Sequence, residues 1–72
     1  MIKEVKYYSK VREYRLNSGL RQADLAHEID VSRRTIITAE NDNCNLSLST
    51  AKRLAAYFNT ALDELFETVE EK

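Results

Sequence analysis

Two adjacent arginines, Arg33 and Arg34, share one stripe of the stretch Val31 to Asn41 with Ile37, Thr38 and Asn41 when it is read at 3.6 residues per turn. Thr35, Ile36, Ala39 and Glu40 fall on the opposite stripe. The first stripe combines guanidinium groups, a hydroxyl, an amide and an aliphatic side chain. That mixture can meet phosphate oxygens, guanine edges and thymine methyls at once. Two arginines alone would be ordinary solvated surface, but a purely solvated face would not place Ile37 among them. The stretch reads as a DNA recognition helix, with Arg33 and Arg34 aimed at guanine O6 and N7 and Thr38 at a base edge or a thymine methyl.

The inner stripe makes its own demand. Glu40 shares it with Ile36 and Ala39, and a buried carboxylate without a partner costs several kcal/mol, so a cation is required. Arg15 is the candidate, because guanidinium and carboxylate pair bidentately. The role of this pair is structural: it locks an upstream helix against the recognition helix. Gln22, at the start of the preceding helix, is placed to meet the phosphate backbone, and Arg21, Asn41, Asn43, Asn45, Lys52 and Arg53 are further phosphate candidates. Ser32, the N-cap of the recognition helix, is counted with the DNA-facing group.

These residues need a frame of helices. The chain has 72 residues, one Gly and no Pro, a composition that favours helix and leaves little for β-turns, so the expected fold class is all-α. A domain of this size buries only about 60% of its unfolded surface. Tyr7, Val11, Tyr14 and Ser18 recur at helical spacing, predicting helix 1 from Tyr7 or Tyr8 to Ser18, stopped by Gly19. Gln22 to Ile29 forms helix 2, with Leu25, Ala26 and Ile29 inward; the small Ala26 permits a steep, close helix crossing. Asp30 to Ser32 is a three-residue turn in which Asp30 tolerates the left-handed conformation that a tight helix–helix link often needs and Ser32 has the hydroxyl of an N-cap. Ser47 caps helix 4, which buries Leu48, Ala51, Leu54, Ala55 and Phe58 and ends at Asn59. Thr60 with Asp63 predicts a capping box for helix 5, which carries Leu62, Leu65 and Phe66. Residues 1–6 alternate apolar and charged, as a short strand or extended arm would, and 67–72 form an acidic tail, either frayed or a second strand.

Composition excludes several functions. One Cys, Cys44, and one His, His27, make neither a disulfide nor a metal cage, and no nucleophile–base pair or glycine-rich phosphate cradle can be assembled. No enzyme activity, cofactor, metal or small-molecule effector is expected. No apolar run approaches the roughly 20 residues a bilayer demands, and Met1 leads into Lys3, Glu4 and Lys6, so neither a membrane partner nor a secretion signal is expected and the location should be cytoplasmic. The net charge of −1 is unevenly spread: residues 1–53 carry ten Lys and Arg against seven Asp and Glu, and residues 54–72 carry five acids against Lys72.

Gln22-Ala23-Asp24-Leu25-Ala26, then Val31-Ser32-Arg33-Arg34-Thr35-Ile36, Glu40-Asn41 and Leu62-Asp63-Glu64-Leu65-Phe66 together resemble the phage-repressor and Cro-like helix-turn-helix family of transcriptional regulators, over about residues 10 to 66. The resemblance implies a compact five-helix domain that binds a near-palindromic operator as a homodimer, its third helix in the major groove. It assigns base contacts to Arg33, Arg34 and Thr38, backbone contacts to Gln22 and Asn41, and a structural pair to Arg15 and Glu40. The chain departs from the family at Arg21, where a Thr or Ser cap is usual, at Asp30 and Asp42, where glycine is frequent, at Leu46, where proline is frequent, and at Ala39, where a larger aliphatic is usual. The expected function is that of a DNA-binding repressor with recognition helices about 34 Å apart. Leu62, Phe66, Tyr57 and Val69 are the expected dimer contacts, extended by the terminal segments if they pair as strands. A second reading is a protein-interaction module, such as an antitoxin or anti-regulator, whose acidic end holds a basic partner.

Overall fold

The chain runs β1 (Lys6–Ser9), α1 (Val11–Asn17), α2 (Gln22–Glu28), α3 (Arg33–Ala39), α4 (Leu48–Tyr57), α5 (Leu62–Leu65) and β2 (Phe66–Val69) in a computed structural model that describes residues 6–69. Each helix boundary has a local cause. Gly19 adopts φ 71° just past α1, and Asp30 and Asn59 take φ 58° and 52° after α2 and α4, where the chain must leave a helix through the left-handed region. Ser32 and Ser47 cap α3 and α4 by accepting the backbone N–H groups of Thr35 and Thr50, each at 3.1 Å. At α2, Arg21 cannot accept a hydrogen bond, and half a capping box is made instead: the Asp24 carboxylate accepts the Arg21 backbone N–H at 3.0 Å.

The helices enclose a core of Val11, Leu25, Ala26, Ile29, Ile36, Ala39, Leu54, Ala55 and Leu65, with Tyr14, Leu20, Val31, Phe58 and Leu62 packed against it. Ala26 lies at the α2–α3 corner, where its carbonyl accepts the Val31 N–H at 2.9 Å. No helix among the described residues is long and apolar enough to cross a membrane.

Five expectations are corrected. The fold is mostly helical but not strictly all-α: β1 and β2 form a two-stranded antiparallel sheet in the register Lys6 to Val69, Tyr7 to Thr68, Tyr8 to Glu67 and Ser9 to Phe66. Helix 1 consequently begins at Val11, and Tyr7 and Tyr8 lie in β1. The helical spacing of Tyr7 with Val11 is overridden because Tyr7 packs edge-to-face on Phe66, ring centroids 6.4 Å apart, from the opposite end of the chain. Helix 5 stops at Leu65, and Phe66 opens β2. Its N-cap is Ala61, because the Thr60 hydroxyl is drawn to the Glu64 carboxylate at 2.9 Å and to the Tyr14 hydroxyl at 3.2 Å. Finally, Leu48 is 62% exposed: as the first residue of α4 it lies before the stripe of Ala51, Leu54 and Ala55 turns inward. Of the segments read as a strand or arm at 1–6 and as a frayed tail or strand at 67–72, Lys6 lies in β1 and Glu67 to Val69 lie in β2, whereas positions 1–5 and 70–72 lie outside the described residues.

Candidate nucleic-acid interface

The α3 helix is held from below by its own inner stripe. Ile36 and Ala39 are fully buried. Glu40, which follows Ala39, accepts hydrogen bonds from Arg15 through Nε and, at 3.3 Å, through Nη2, while Arg15 Nη1 donates to the Leu20 carbonyl at 2.9 Å. Both side chains of the pair are at least nine-tenths buried, so charge neutralisation and hydrogen-bond saturation are simultaneous. Gln22 joins the group, its amide donating to the second Glu40 oxygen at 3.1 Å. The amide expected at the phosphates is thus half committed to tying α2 to the end of α3.

On the outer side, Arg33, Arg34 and Asn41 are exposed, Thr38 is half-buried and Ile37 is 40% exposed. The structure separates the two arginines. Arg33 lines a shallow depression with Arg15, Arg21, Gln22 and Ala23, at the start of α2. Arg34 lines another with Thr38, Asn45, Leu46, Ser47 and Thr50, between α3 and the start of α4. Ile37 lies between them on the helix circumference, so an aliphatic ridge is flanked by a cation on each side. The hydroxyl of Ser32 is engaged with the Thr35 N–H and hydroxyl, which orients the first turn of the helix.

Arg21 remains 85% exposed while pairing with Asp24 at 3.0 Å. The neighbouring guanidinium holds the Asp24 carboxyl below its ordinary range, keeping a negative charge at the positive end of α2. Asn43 and Arg53, both exposed, also make hydrogen bonds within the fold. Asn43, at φ 54°, accepts the Tyr7 N–H on its side-chain oxygen at 2.9 Å and donates its own N–H to the Tyr7 carbonyl at 3.1 Å. Arg53 donates to the Ile29 carbonyl at 3.3 Å and so covers the end of α2. Neither bond has a local sequence signal, since each joins residues at least 24 positions apart.

The residues expected at a dimer contact are not all on one patch. Leu62 and Phe66 line a cavity of about 210 Å³ with Tyr7, Cys44, Leu46, Ala51 and Asp63, whereas Tyr57 opens onto a depression with Glu28, Ile29, Asp30, Arg53 and Ala56. Val69, half-buried, ends β2. Cys44 is buried beside Ala39, and burial pushes its thiol pKa up, so little thiolate is present at neutral pH. The folded protein is expected to react with an aromatic disulfide reagent at least about tenfold more slowly than the denatured chain. Equal rates would mean that the loop over Cys44 opens readily.

A short helix with an aliphatic ridge between cations, set by a tight turn on a second helix and locked from beneath by an ion pair, defines a helix-turn-helix domain. Similarity to known proteins agrees: residues 11–65 match the family described as Helix-turn-helix, and the chain belongs to that family. It is 36% identical over 58 residues to an uncharacterized helix-turn-helix-type transcriptional regulator of Archaeoglobus fulgidus, covering 81% of this chain and 83% of that protein. A regulator of the same description from Methanocaldococcus jannaschii is also 36% identical over 58 residues, covering 81% of this chain and 88% of its own. A second Archaeoglobus fulgidus regulator is 31% identical over 64 residues, covering 89% and 90% respectively.

Proposed function

We propose that the protein is a sequence-specific DNA-binding transcriptional regulator that acts as a repressor, binding a near-palindromic operator as a homodimer with α3 in the major groove. The observation that carries this reading is the outer face of α3, where Arg33, Ile37 and Arg34 stand side by side on a helix whose opposite face is buried. Single exposed aliphatic residues also occur elsewhere on the surface, at Leu16 and Leu48, but Ile37 is the one that lies between two arginines, and a major groove offers thymine methyls beside guanine edges. The relatives named as transcriptional regulators support the same reading. Leu62, Phe66 and Val69 are the proposed dimer contacts, with Tyr57, which opens onto a separate depression, as a second contact.

The test is in vitro selection from random duplexes. The expected product is an inverted repeat with half-site centres about one helical turn, 34 Å, apart, bound with a modest salt dependence relative to random duplex. Failure to enrich any sequence would overturn it. The interaction-module reading loses support because part of the acidic end is engaged internally: Glu67 pairs with Lys10 at 2.8 Å, and Glu64 accepts from Thr60.

A further inference from the structure

The strand β1 does more than pair with β2. In the antiparallel register, Tyr8 faces Glu67, while the N–H and carbonyl of Tyr7 and the N–H of Ser9 turn to the other edge, where they meet the segment after α3. The Ser9 N–H donates to the Asp42 carboxylate at 2.9 Å, Tyr7 exchanges two hydrogen bonds with Asn43, and the Tyr7 hydroxyl donates to the Cys44 carbonyl at 2.7 Å. The Ser9 hydroxyl donates to the Ala39 carbonyl, one of the end-of-helix carbonyls of α3 that no intrahelical N–H can satisfy, and accepts the Val11 N–H at 3.4 Å, at the start of α1. One hydroxyl thus bridges the beginning of α1 and the end of α3. With Glu40 held by Arg15, the chain is anchored at Ala39, Glu40, Asp42, Asn43 and Cys44. Between these anchored neighbours, Asn41 is exposed.

We propose that Ser9 is a positioning residue for DNA reading: its hydroxyl, bridging the Ala39 carbonyl and the Val11 N–H, fixes the end of α3 that carries Thr38 and Asn41, as Ser32 fixes the beginning that carries Arg33 and Arg34. The inference rests on the reading that α3 faces DNA. It needs a side chain that donates and accepts at once, which Ser and Thr provide and Ala does not.

The experiment compares wild type, Ser9→Ala and Ser9→Thr for affinity to the wild-type selected duplex and to random duplex at one salt concentration, with amide hydrogen exchange of residues 38–44 measured by NMR. Ser9→Ala is expected to lose about tenfold on the selected duplex, the worth of one or two hydrogen bonds, with random-duplex affinity unchanged. Ser9→Thr restores it. Exchange at residues 38–44 is expected to accelerate in Ser9→Ala and not in Ser9→Thr. A purely structural role would lower both affinities together, so an unchanged ratio of selected to random affinity overturns the proposal, as does a Thr variant that behaves like Ala. If Ser9→Ala does not fold, Ser9→Cys, whose thiol donates and accepts only weakly at the same place, takes its place: its ratio of selected to random affinity is expected to fall, and an unchanged ratio overturns the proposal. If the wild type selects no sequence, the DNA reading has failed, and the anchoring is judged by exchange alone: unchanged rates at 38–44 overturn it.

Discussion

Replacing Arg15 by Ala is expected to cost about 3 to 5 kcal/mol of folding stability, because it leaves the buried Glu40 carboxylate with Gln22 as its remaining partner and the Leu20 carbonyl without its donor. In a domain of this size that corresponds to a melting temperature lower by roughly 12 to 40 °C, close to complete loss of the fold under ordinary conditions. Thermal or urea denaturation monitored by circular dichroism measures it. The charge left behind is the main cause of the loss, so Arg15→Met combined with Glu40→Leu should recover most of it: apolar residues of similar volume often replace a buried pair at little cost. A single Arg15→Ala variant less than about 1 kcal/mol below wild type would mean that the pair is solvated, as exposed pairs of that worth are.

Arg33→Ala and Arg34→Ala are each expected to weaken binding to the selected duplex by about 1 to 3 kcal/mol, roughly five- to 150-fold, and to relax base preference at the position each one faces. The two positions should differ, since Arg33 sits with Arg21 and Gln22 at the start of α2 and Arg34 with Thr38 and Asn45 beside α4. Titration against the selected duplex and repeated selection with each variant measure both effects. A variant that binds all sequences uniformly more weakly, with a salt slope reduced by about one, would assign that arginine to a phosphate instead of a base. Unchanged base preference in both variants would remove direct readout by this face.

The three-residue turn is legible in the chain because every signal in it is short-range. Asp30 tolerates the left-handed conformation, Ser32 accepts the N–H three residues on, and Ala26 leaves room at the corner. The Arg15–Glu40 pair is legible for a different reason: the periodicity of α3 places a carboxylate on a buried stripe, and desolvation demands a cation, although the partners are 25 positions apart. Departures from the family pattern are accommodated in the structure. Asp30 supplies the backbone conformation for which glycine is frequent, and the Asp42 carboxylate receives the Ser9 N–H. The small Ala39 lies fully buried, with the Cys44 sulfur 3.9 Å from its carbonyl oxygen.

What the amino-acid sequence determined by itself was the order and number of the helices, the serine caps of α3 and α4, the stops at Gly19, Asp30 and Asn59, and the buried stripe of α3. These arise from 3.6-residue periodicity and from hydrogen bonds spanning three or four positions. Tertiary structure alone decided that Tyr7 to Ser9 form a strand, that Asn43 and Arg53 serve the fold, and that Arg33 and Arg34 open onto different depressions. The pairing of β1 with β2 joins residues roughly 60 positions apart, and its strength lies in contacts such as Tyr7 on Phe66 that exist only after the helices between have closed the chain. A four-residue stretch with helical spacing on one side and aromatic β-formers within it has no local preference strong enough to choose. The partner across the sheet makes the choice, and with it sets the strand that holds the end of α3.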